Sequence, residues 1–104
     1  MFDYSKVDEV IKRIIKATNP KMLIVFGSVA SRTARDDSDL DILVVFDKIE
    51  NRKETYSTIK SQFRGLKLPS DIILMDLSEF NHWKEDKFSF THEIVKTGNV
   101  VYAS

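Results

Sequence analysis

Gly27-Ser28, an interval of ten residues, and then Asp39-Leu40-Asp41 make up the stretch whose residue types and spacing suit chemistry. Asp39 and Asp41 head an apolar run, Asp39 to Phe46, that reads as a strand. Side chains alternate on a strand, so both carboxylates face one way, roughly 7 Å apart along the chain, while Leu40, Ile42 and Val44 face the core. Asp is depleted in strands, and two carboxylates on one face repel each other unless a cation lies between them. Such hard oxygen donors suit Mg²⁺, which takes one or two carboxylates and completes its shell with phosphate oxygens and water. A solvated strand end is the plain alternative. Asp71 opens a further apolar run, Asp71 to Met75. Should that run pair beside the first, three carboxylates can hold two cations roughly 4 Å apart and stabilise the attacking and leaving oxygens of a phosphoryl transfer. As a turn residue after Pro69-Ser70, Asp71 needs no such role. Asp76 falls on the opposite face at the far end of the run, so Asp71 is the preferred third carboxylate.

Gly27-Ser28 follows Met22 to Phe26, a continuous apolar run of a strand buried on both faces. Glycine permits a sharp turn and close approach of a ligand, and Ser28 suits the N-cap of a short helix whose free N–H groups favour phosphate. Alone, Gly-Ser is equally an ordinary strand-to-helix turn. Arg32 and Arg35 in the following loop are either phosphate contacts or solvated cations.

The elements that position these residues alternate helix and strand, which predicts an α/β (α+β) fold with a small mixed sheet of three to four strands flanked by helices. Ser5 to Ala17 reads as an amphipathic helix with Val7, Val10, Ile11, Ile14 and Ile15 on one stripe. Ser5 and Asp8 suggest a capping box, and Asn19-Pro20 ends the helix. Asn51 to Arg64 is expected to be a helix with Tyr56, Ile59 and Phe63 inward, a cap from Asn51 and Glu54, and a stop at Gly65. Ser78 to Asp86 is weakly helical. Ser89 to Thr97 is expected to turn Phe90, Ile94 and Val95 inward and to end at Gly98, before a short edge strand, Val100 to Tyr102. Phe80, Trp83, Phe88 and Phe90 are read first as core, with an exposed partner patch as the alternative. His82 and His92 lack the spacing of metal ligands, and Lys84 to Lys87 form a solvated face.

The 104 residues are read as one domain, 1–104. Sixteen Lys+Arg balance sixteen Asp+Glu, so nothing electrostatic favours duplex DNA or an anionic membrane. The lack of cysteine excludes disulfides and thiolate catalysis. No run is long enough to cross a bilayer and no signal-peptide pattern opens the chain, which sets a cytoplasmic expectation. So small a domain leaves surface for a partner protein or a homo-oligomer.

The run GSVASRTARDDSDLD, Gly27 to Asp41, with Ser38 before the Asp pair and Asp71 beyond, resembles the nucleotidyltransferase superfamily with a DNA polymerase β-like palm. The small size resembles its minimal nucleotidyltransferase (MNT) branch, and the likeness extends over essentially the whole chain. The resemblance implies that Gly27 and Ser28 hold a nucleoside triphosphate, aided by Arg32, Arg35 and Ser38. It implies that Asp39 and Asp41, with Asp71, hold two Mg²⁺ ions, and that Asp71 activates an acceptor hydroxyl. Val29 and Arg32 depart from the family's Gly-Ser-Arg-x-x-Gly, which alters one phosphate contact and the loop. The implied activity is transfer of an NMP, with AMP from ATP the expected case, and release of pyrophosphate. By the same resemblance the acceptor is a Tyr of a HEPN-domain toxin, and this chain is its antitoxin. The competing expectation is a non-catalytic module that neutralises its partner by contact; a weaker one is a regulatory domain with a chance motif.

Overall fold

A computed structural model describes residues Met1–Ser104. Along the chain run α1 (Tyr4–Thr18), β1 (Met22–Phe26), α2 (Gly27–Ala30), β2 (Leu40–Phe46), α3 (Arg52–Ser61), β3 (Ser70–Asp76), α4 (Leu77–Lys84), α5 (Phe90–Thr97) and β4 (Asn99–Ala103). The strands form one mixed sheet in the order β3-β2-β1-β4. β1 is antiparallel to both β2 and β4, and β2 is parallel to β3. A parallel pair needs a crossover, and α3 supplies it.

Strand alternation sorts the apolar residues into two layers. On one face Leu23 and Val25 of β1, Leu40, Ile42 and Val44 of β2, and Ile72 and Leu74 of β3 pack against Val7, Val10 and Ile14 of α1 and Ile59 of α3. On the other face Ile24, Phe26, Leu43 and Val45 meet Phe80 of α4 and Ile94 of α5. Burying each such side chain contributes about 1.5–3 kcal/mol. The central strands are apolar on both faces because both are covered, whereas β4 at the edge is mostly exposed. Arg13 of α1 ties the layer together by donating to the carbonyls of Gln62 and Arg64 beyond α3, both at 3.0 Å.

Several details differ from the expectations. Asp3, not Ser5, caps α1 by accepting from the Ser5 N–H at 3.0 Å. α3 is capped by Asn51 as expected; its helical part ends at Ser61, the chain turns through to Gly65 (φ +83°), and Tyr56 is exposed. α5 is rotated by about one residue from its expected register: Thr91 and Ile94 are buried, while Phe90 and Val95 are exposed. Gly98 fixes this rotation. A Cβ there would stand 2.6 Å from the Ile94 carbonyl, 2.9 Å from Ile24 Cγ2 and 2.9 Å from the Val25 carbonyl. The helix end thus lies directly on β1, which turns Thr91 toward Met75 Sδ (3.7 Å) and leaves Phe90 outward. Of the aromatic group read as core, Phe80 alone is buried; Trp83, Phe88 and Phe90 are exposed. No helix is long and apolar enough to cross a membrane.

Candidate active site

The end of β1 and the beginnings of β2 and β3 meet at one end of the sheet. Asp41 pairs across with Phe26 on one side and with Asp71 on the other. Residues paired in this way project from the same face. Asp41 and Asp71 therefore stand side by side on the face covered further along by α4 and α5, opposite the face where Leu40 and Ile42 pack on α1. Asp39 lies one residue before β2 begins, exposed. Burial pushes the Asp41 carboxyl above its ordinary value, and the neighbouring charges of Asp71 and then Asp39 add to the rise. All three carboxylates thus share one electrostatic neighbourhood. Asp76, at the far end of β3, accepts from the Glu79 N–H at 2.8 Å and caps α4.

Gly27 completes the centre. Its backbone is left-handed (φ +72°), and a Cβ on it would collide with Asp41 Oδ2 and lie 3.1 Å from Asp41 Cγ. Glycine is required here for both reasons. Its turn also starts α2 two residues earlier than expected, so Phe26 occupies the N-cap position and Ser28 does not cap the helix. The Ser28 carbonyl accepts from the Thr33 N–H at 2.9 Å, and the Ser28 residue is half-buried.

The rest of the loop is held by its own contacts. Ser38 Oγ accepts from the Arg35 N–H at 2.7 Å, and the Ser38 N–H donates to the Arg35 carbonyl at 2.9 Å, closing a tight turn just ahead of Asp39. The Arg35 side chain is exposed. Arg32 has a left-handed backbone (φ +62°), and its guanidinium lies over the Tyr4 ring, 4.3 Å from the centroid. Tyr4 packs on the α1 face, so Arg32 is drawn away from the carboxylates rather than toward them. A charged group over an aromatic face is a favourable pairing, and the sequence carries no sign of it because the two residues are far apart in the chain.

The donor set fits divalent magnesium. The oxygens are hard and negative; burial is the first cause of the rise at Asp41, and the part that Asp71 and Asp39 add is charge that a cation would relieve. The side chains alone do not close a three-ligand cluster around one point, so a magnesium ion here would need phosphate oxygens and water to complete its shell. The larger cavities, of about 410 and 710 Å³, lie at the Phe46 end of the sheet and along the outer edge of β3, away from the three Asp.

Comparison with known proteins agrees with this geometry. No curated protein sequence matches the chain. Among solved structures, the fold is similar to a nucleotidyltransferase candidate from Sulfolobus solfataricus, with a TM-score of 0.62 at 22% identity over 95% of this chain and 78% of that one. It is similar to a toxin–antitoxin crystal structure with AMP-PNP, with a TM-score of 0.63 at 16% identity over 99% of this chain and 75% of that one. A mutant of the toxin–antitoxin MntA–HpeT gives a TM-score of 0.62 at 14% identity, with the same coverage of 99% and 75%. The sequence profile described as polymerase beta nucleotidyltransferase matches residues 9–104. A match of that extent, on a fold that sets Asp41 beside Asp71 and against Gly27, places the chain in the polymerase beta nucleotidyltransferase family.

Proposed function

We propose that the chain is a minimal nucleotidyltransferase that moves AMP from ATP onto a hydroxyl of a partner protein, a Tyr of a HEPN-domain toxin, and so acts as its antitoxin. The observation that carries this reading is the pairing of Asp41 with Asp71 across β2 and β3, with Asp39 near enough to raise Asp41 further. Two Mg²⁺ ions, when bound, neutralise charge on the α-phosphate and on the departing pyrophosphate. Asp39, Asp41 and Asp71 are the residues that would hold them. Gly27 keeps the approach to Asp41 open, and the Ser28 hydroxyl is available to a phosphate oxygen. The acceptor oxygen attacks the α-phosphorus, the bond to pyrophosphate breaks, and the acceptor proton passes to the Asp71 carboxylate. The Ser31–Ser38 loop contributes shape more than charge, because Ser38 closes its turn and Arg32 is engaged with Tyr4.

Two further points support a protein acceptor. None of the four larger cavities is lined by Asp39, Asp41 or Asp71, although one reaches Ser38 and Pro69. Two of the similar structures are toxin–antitoxin proteins, one of them with an ATP analogue. The test is incubation of the chain with Mg²⁺, ATP labelled at the α-phosphate, and the product of the neighbouring gene. Label should appear on the partner with the native chain and not with Asp39→Asn or Asp41→Asn, and ATP labelled at the γ-phosphate should leave none. Native protein that transfers nothing, or Asp variants that silence the partner as well as native, would establish neutralisation by contact instead.

A further inference from the structure

Phe90 is the first residue of α5, and its ring is exposed although it sits on a buried neighbour. It meets Phe26 edge to face, with centroids 5.6 Å apart and planes at 85°. Phe26 is buried, precedes Gly27 and pairs across the sheet with Asp41. The Phe90 ring is therefore one side chain removed from the centre of the carboxylate site. Its position is also fixed. Ser89 caps α5 by accepting from the His92 N–H at 3.0 Å and donates its hydroxyl to the Trp83 carbonyl at 2.5 Å, and Thr91 beyond is buried. An exposed aromatic ring near a candidate nucleotide site suits base stacking, because every base has a π-face that such a ring can meet. Phe88, by contrast, is wholly exposed and has no aromatic neighbour within the fold to hold it.

We propose that Phe90 is the platform on which the nucleobase of the bound triphosphate stacks, held in place by Phe26. This inference rests on the nucleotide-transfer reading of the carboxylate site. Stacking on one face distinguishes a nucleotide from bare polyphosphate and discriminates weakly among bases.

The test is calorimetric titration of the full chain with Mg²⁺·ATP and, separately, with Mg²⁺·tripolyphosphate, which lacks base and sugar. Phe90→Ala and Phe90→Leu should weaken ATP binding by about tenfold or more, leave tripolyphosphate binding unchanged, and leave the fold intact because the ring is exposed. Phe90→Tyr should restore ATP affinity, and Phe88→Ala should match native. Equal effects on both ligands, or none on either, would overturn the proposal. Loss of partner binding in both Phe88→Ala and Phe90→Ala, with ATP affinity unchanged, would also overturn it and make these rings a protein-docking patch. Native protein that binds neither ligand would refute the nucleotide reading itself, a result distinct from any produced by the Phe90 variants alone.

Discussion

Gly27 and Asp41 illustrate how little space the centre leaves. The absent Cβ of Gly27 is what lets Asp41 Oδ2 lie where it does, and the left-handed backbone adds a second demand for glycine. Gly27→Ala should therefore fold, displace the Asp41 carboxylate and reduce label transfer on the order of a hundredfold, as misplacement of a reacting group by about 1 Å does; circular dichroism and the transfer assay check the two halves. Asp41 carries a second expectation. Its carboxyl is raised in the folded protein by burial, Asp71 and Asp39, so the folded state holds a proton that the unfolded state releases. Its contribution to stability is thus favourable in acid and is lost as pH rises through the folded value. Without metal, Asp41→Asn should melt at or above the native temperature at neutral pH. The gap should close as pH falls toward the ordinary value of 3.8, which melting curves across pH measure. A clear fall for Asp41→Asn at neutral pH would make Asp41 a structural residue. The run from Gly27 to Asp41 was legible because its spacing is local. The contact of Arg32 with Tyr4 was not, since no periodicity links two residues so far apart.

At the scale of elements, the site is a product of strand register. Shifting β3 by one residue against β2 would turn Asp71 to the other face, so the pairing of Asp41 with Asp71 depends on how α3 and the turn at Pro69 return the chain. Alternation within β2 and the apolar run of β3 predicted both strands; their register was only conditional, because it is set by packing of Ile59, Ile72 and Leu74 that a linear pattern does not encode. The same holds for α5. Phe90, Ile94 and Val95 make as good a helical stripe as Thr91 and Ile94, and the choice is made by the close approach of Gly98 to β1. That approach predicts that Gly98→Ala costs about 1–3 kcal/mol through overpacking, and each kcal/mol lowers the melting temperature of a domain this size by about 4–8 °C. Thermal unfolding checks this, and an unchanged melting temperature would mean that Gly98 does not seat the helix.

For the whole molecule, the consequence is an open site on a small sheet. The carboxylates stand at a sheet end, outside the larger cavities, and in the function proposed here the acceptor is brought and oriented by its own surface. Binding and transfer should then separate. Asp39→Asn and Asp41→Asn should hold the partner in a pull-down as native does, yet leave its toxicity unrelieved. The composition spoke to this only by exclusion, since a neutral chain without cysteine narrows the partners without naming one. The central claim is that Asp39, Asp41 and Asp71 together grip divalent ions against a bound triphosphate. The most direct measurement is a crystal structure with a non-hydrolysable ATP analogue and Mn²⁺ in place of Mg²⁺. The account predicts anomalous density bridging Asp41 and Asp71, with the phosphates against Gly27 and Ser28; metal and nucleotide bound on the α1 face, or no metal at the three carboxylates, would contradict it.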